Sequence, residues 1–119
     1  MHQMKAISNK QKTIHKELKK VYKEIAEERE HKCTGCNRYD VPLSHSHLIP
    51  RSRRKDLTTN KKNITYHCLT FGSRRGCHDI WESKDRTMLL DYFNNMSIIE
   101  ELDREYYNLL KQKEDANFS

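Results

Sequence analysis

The reactive side chains gather between residues 33 and 82: all four cysteines, four of the seven histidines and most of the clustered arginine. Cys33 and Cys36 are separated by two residues, Cys68 and Cys77 by eight. Thiols in such pairs bind zinc in a reducing compartment and form disulfides in an oxidising one. Residues 1–20 contain no apolar stretch of the kind a secretory leader needs, so the thiols are read as reduced and the compartment as cytoplasmic. Four thiolates close a tetrahedron around one zinc and leave no open position, so the expected ion is structural. The chain between the pairs must then fold back as a hairpin. His67, next to Cys68, is a substitute ligand.

The histidines suggest a second kind of chemistry. His45 and His47 are two apart and share one face of a regular strand. His78 and Glu82 are four apart and share one face of a helix. Packed together, such a strand and helix present all four side chains to one cleft. An imidazole titrates near neutrality, so it can take a proton or bind a cation at cellular pH.

Those groups need elements to hold them. At 119 residues, 34% hydrophobic and with a mean hydropathy of −1.06, the chain builds one small domain with a thin apolar core. A metal staple compensates for that. No run approaches the ~18 apolar residues of a membrane helix, which excludes a spanning protein. The expected organisation is one α+β unit: an N-terminal amphipathic helix in residues 1–30, a zinc-stapled core in 31–84 and a C-terminal helical segment in 85–119. Ile7, Ile14, Leu18, Val21 and Ile25 form the stripe of the first helix, read as running from Ser8 to Glu30. Gly35 is expected to take a positive φ that turns amides toward the thiolates. Strands are predicted over 41–49, ending at Pro50, and over 63–68; a short helix follows from His78 to Ser83 with Trp81 as its anchor. Asp85 is read as the cap of a helix that Asn94-Asn95 breaks. Ser97 with Glu100 is read as the capping box of the last one, which carries Ile98, Ile99, Leu102, Tyr106, Leu109 and Leu110 and frays after Lys113. The C-terminal aromatics are assigned to the core.

The net charge of +6 and pI of about 9.2 leave the protein basic even with zinc on four thiolates. Arg51, Arg53, Arg54, Lys55, Lys61 and Lys62 crowd one loop, with Asp56 the only acid among them, and Arg74 and Arg75 add to that region. The flanking helices are read as mixing both signs. A basic loop of this kind contacts phosphates in a salt-sensitive, largely sequence-independent way.

The order of these pieces resembles the HNH endonuclease family, in particular its zinc-containing phage and mobile-element members. It comprises Cys33-x-x-Cys36, the strand ending His47-Leu48-Ile49-Pro50-Arg51, the basic loop, Asn63-Ile64 ahead of Cys68, and Cys77-His78. The resemblance covers about residues 33–82. It implies a ββα-metal core in which His47 is the general base, Asn63 orients that base or joins the metal site, and His78 binds a catalytic divalent ion. That ion would be magnesium, with manganese, nickel or zinc as alternatives. Arg51 would reach the scissile phosphate. Ser46 stands where active members carry an acid or a second histidine. Either His45 or Glu82 then completes the coordination, or Ser46 holds a metal-bound water, or the site has weakened. The implied function is hydrolysis of DNA phosphodiesters; the alternative is a zinc-stabilised DNA-binding module without catalysis. Beyond DNA, the helical flanks could serve self-association or docking on phage or mobile-element machinery.

Overall fold

The computed structural model of the chain describes residues 9–118. Four helices surround a two-stranded antiparallel sheet, giving a small mixed α+β domain. Helix α1 (Asn9–Glu28) forms because Ile14, Leu18, Val21 and Ile25 recur on one face. Ile7 and the expected start at Ser8 lie outside the described residues. Val21 and Ile25 are buried, with Leu18 and Tyr22 beside them, against Ile64, Tyr66 and Leu43 of the sheet. Arg29, just past the helix, donates to the carbonyls of Ile64 (2.6 Å) and Lys61 (2.9 Å) and ties the helix end to the sheet.

Strands β1 (Leu43–His47) and β2 (Ile64–Cys68) pair in the register Leu43↔Cys68, His45↔Tyr66, His47↔Ile64. Every residue of β2 is buried. Its Ile64 and Tyr66 lie under α1, whereas His67 meets Trp81 of helix α2 (Cys77–Glu82), with ring centres 5.9 Å apart. The larger core includes Leu48, Ile49, Trp81, Met96 and Ile99 together with Cys33, Cys68 and Cys77. β1 is shorter than the sequence suggests: the Leu48 amide still donates to the Asn63 carbonyl at 2.9 Å, but the chain then turns so that Leu48 and Ile49 are buried in this core. The basic stretch after Pro50 is also less open than expected. Leu57 and Thr58 are buried at the end of a short turn of 3-10 helix, Lys55–Leu57.

The C-terminal third departs from its sequence reading. Asn94-Asn95 breaks nothing: helix α3 (Tyr92–Leu102) runs through it, and Ser97 lies in its interior. Tyr92, Asn95, Met96 and Ile99 share its buried face. Burying that face outweighs asparagine's propensity penalty of a few tenths of a kcal/mol. Asp85 stands at the N-cap position of only a short turn of 3-10 helix, Arg86–Met88, and makes no side-chain cap bond to it; its carboxylate pairs with Arg75 at 2.8 Å. The break falls at Asp103, extended at φ −157°, which opens helix α4 (Arg104–Phe118) and accepts from the Tyr106 amide at 3.0 Å. The stripe assigned to one helix is therefore divided between two, and the last helix continues past Lys113. Tyr92 is core and Tyr106 and Tyr107 pack against it, but Phe93 is exposed, as are Met88 and Leu90. No helix among the described residues is long and apolar enough to cross a membrane.

Candidate functional site

The hairpin brings its own ends together, and with them the two cysteine pairs. The four sulfurs lie within 4.8 Å of one another, and Cys36 Sγ is 3.8 Å from Cys68 Sγ. A zinc–sulfur bond of about 2.3 Å in a tetrahedron puts neighbouring sulfurs about 3.8 Å apart, so the cluster has the dimensions of a metal site. The donors fit as well. Cys33 Sγ accepts from the amides of Gly35 (3.3 Å) and Cys68 (3.2 Å), and Cys68 Sγ from the amide of Cys77 (3.3 Å) and from Arg74 (3.5 Å). Such bonds stabilise thiolates. The neighbouring Cys77 thiol holds Cys33 below the usual thiol range, and Cys33 in turn holds Cys77 above it.

Gly35 serves this cluster differently from the sequence reading, since its φ is not positive; Asn37 (φ 66°) makes the turn instead. A Cβ on Gly35 would lie 2.7 Å from Cys77 Cβ and 2.8 Å from its sulfur, so the glycine allows close approach. His67 stays outside the cluster. Burial, the largest influence, pushes its imidazole down to about 4, and neither ring nitrogen has a partner within the protein. It is a neutral core residue.

Beside the cluster opens a cavity of about 330 Å³. His45, His47, His78 and Glu82 all line it, together with Arg51. His47 Nε2 lies 2.8 Å from the Thr58 carbonyl oxygen. A carbonyl only accepts, so Nε2 carries the hydrogen and Nδ1 keeps a free lone pair. His78 Nδ1 is 2.6 Å from Ser46 Oγ, and its Nε2 is 3.4 Å from Glu82 Oε1. Alternation along β1 thus directs Ser46, not His45, at His78. The His45 ring stacks on Tyr22 of α1 with centres 3.8 Å apart. Burial, then the nearby His31 and His47, keep His45 below its ordinary range. Among the described residues the four thiols are the only group of three or more His, Cys, Asp or Glu gathered tightly enough for one ion. His45 therefore does not join His78 and Glu82 in a ready-made cage.

Asn63 is buried and does not face the cavity. Its Oδ1 accepts from the Ile49 amide (2.8 Å), and its Nδ2 donates to the carbonyls of Ile49 (3.0 Å) and Leu57 (3.2 Å). It clamps the loop between Ile49 and Leu57, next to the Thr58 carbonyl that His47 meets.

The basic residues divide. Arg53 and Arg54 both reach Asp103 at 3.3 Å, and Arg54 also pairs with Asp56. Lys61 pairs with Glu28, Lys62 with Glu101 and Arg75 with Asp85. Arg51 and Lys55 are exposed and make no ion pair among the described residues. One cleft residue escaped the sequence reading. Arg86 lines the cavity with its guanidinium 5.1 Å from the centre of the Trp81 ring, and its buried Nε has no partner within the protein. Glu82 and Arg86 stand four apart, a spacing that could have pointed to it. Compared with family models, with curated proteins and with solved structures, the chain matches none.

Proposed function

We propose that the chain is a divalent-metal-dependent DNA endonuclease of the HNH type. In this reading β1, β2 and α2 form its ββα-metal core and the four thiols hold a separate structural zinc. The observation that carries the reading is His47: its Nε2–H is fixed on the Thr58 carbonyl while Nδ1 is left basic, in a cavity it shares with His78 and Arg51. That arrangement suits a general base. His47 Nδ1 takes a proton from water as the water oxygen bonds to phosphorus, and the Thr58 carbonyl steadies the imidazolium that results. The bond from phosphorus to the 3′ oxygen breaks, and the leaving oxygen is protonated from solvent. Arg51 and Arg86 offer guanidinium groups to the phosphate, each without a carboxylate partner among the described residues. A divalent cation on His78, with Glu82 and with Ser46 acting directly or through a water, would stabilise charge on the phosphate and the leaving oxygen.

The test is nicking of supercoiled plasmid with magnesium or manganese. His47→Ala should lose activity by about 100-fold or more while keeping its zinc and its circular dichroism. Equal cleavage by the folded variant would overturn the mechanism.

A second reading, a zinc-stabilised DNA-binding module without catalysis, draws on one contact. Ser46 occupies His78 Nδ1 at 2.6 Å, and a hydroxyl is a poor metal ligand. Titration with manganese separates the two. The nuclease takes up a second ion per chain, whereas the binding module stops at one zinc.

A further inference from the structure

The loop that looks most suited to DNA spends most of its charge on ion pairs within the protein, leaving Arg51 and Lys55 unpaired among the described residues, and a larger set of unpaired cations lies on α1. Between residues 10 and 23 α1 carries Lys10, Lys12, Lys16, Lys19, Lys20 and Lys23 against a single acid, Glu17. All six lysines are exposed, and none pairs with a carboxylate among the described residues. The acids of this helix come later, and two of them, Glu24 and Glu28, are taken by Lys61. The signs in the first helix are therefore segregated and not mixed.

The placement on the helix is specific. At 3.6 residues per turn, Lys12, Lys16, Lys19 and Lys23 fall within an arc of about 60°. Val21 and Ile25, the buried pair, lie on the opposite side. The stripe runs for about 16 Å, enough to follow several successive phosphates of one strand. Its energetics without a ligand are unfavourable. Lys12 and Lys16, Lys16 and Lys20, and Lys19 and Lys23 are like charges at helical contact spacing. The first turn holds lysine and no acid, against the helix dipole. A polyanion laid along this face relieves both. The helix also meets the cleft directly, because Tyr22 stacks on His45.

We infer that the lysine stripe of α1 is an arm that binds the phosphate backbone of duplex DNA and holds it across the His47 cleft. The choice of DNA rests on the nuclease reading; the surface itself does not. The experiment is duplex binding by fluorescence anisotropy from about 50 to 300 mM salt, with no magnesium or manganese added. The variant is Lys12→Gln, Lys16→Gln, Lys19→Gln and Lys23→Gln combined. Glutamine matches lysine in helix propensity, and these positions are exposed, so the variant should melt no lower than the native chain. The slope of log affinity against log salt should become shallower by about 3.6, at ~0.9 per lost phosphate contact. Affinity at the lowest salt should fall by at least about tenfold. Four arginines in place of the lysines should restore both. An unchanged slope overturns the inference, as does an equal effect from Lys61→Gln with Lys62→Gln, or no duplex binding by the native chain. Stripe-dependent binding without plasmid nicking would sink the nuclease reading and leave the arm standing.

Discussion

At the residue scale, two glycines and one aspartate decide whether the candidate site can exist. Gly35 faces Cys77 so closely that Gly35→Ala must displace a thiol. We expect a loss of about 1–3 kcal/mol, as for overpacked cores, with faster zinc loss to a chelator. Gly76→Ala should be worse, because its Cβ would fall inside the backbone of Leu69 and Thr70, which cannot swing aside as a side chain can. Equal urea midpoints for the two variants would contradict this ordering. Asp103 caps α4 and gathers Arg53 and Arg54. Burial works to raise its carboxyl, but the Tyr106 amide and Arg53 outweigh it, so the group sits below the usual range. A depressed carboxyl stabilises the fold above its unfolded value, near ~4, and that contribution is lost as pH falls through the folded value. Asp103→Ala should therefore cost about 2 kcal/mol at neutral pH from the cap and the ion pairs together. Asp103→Asn should cost less, since asparagine still caps. Urea melts at neutral pH and at about pH 2.5 check the sign: the gap in stability between the native chain and the Asp103→Asn variant should close in acid.

At the element scale, the apolar contacts that fasten α1 to the sheet run from Leu18 to Ile25. Ile25 is fully buried against Ile64 and Tyr66, and Arg29 bonds two carbonyls beyond the helix end. Ile25→Ala should lower stability by about 3 kcal/mol. Loss of that packing should also free His45 from Tyr22, so the cleft and the arm lose their fixed relation together. Hydrogen exchange across α1 measures this; unchanged protection in the variant would show that the helix holds itself. The hairpin is fastened from both faces and at its open end by the thiols, which is why its two short strands survive. A hairpin alone is marginal in water.

At the scale of the whole molecule, the two cores are small and the thiol cluster joins the chain before β1 to the end of β2 and the first residue of α2. Purified protein should contain one zinc per chain by elemental analysis. Chelation should unfold the sheet and α2 together, because metal binding and folding share one free energy. A chelated protein with an unchanged melting curve would remove zinc from its structural role. The charge balance is also a whole-molecule property. A net +6 is read along the chain, but the pairs Lys61–Glu28, Lys62–Glu101 and Arg53–Asp103 bring together residues more than 30 apart in sequence.

The sequence by itself determined the elements whose signal is local. The stripe of α1, the β-branched run of β2, the Trp81 helix and the two cysteine pairs are all readable from spacing, and so are the histidines that line the cavity. What it could not decide depends on neighbours distant in the chain. Asn95 stays helical because Tyr92, Met96 and Ile99 are buried with it, and Asp103 becomes the break because Arg53 and Arg54 meet it there. Asn63 is recognisable as a residue, but only the folded loop shows its amide held by Ile49 and Leu57. Arg86 enters the cleft because Trp81 supports it. The positive charge that remains free is settled last, since an ion pair forms only after the tertiary structure has chosen each lysine's partner.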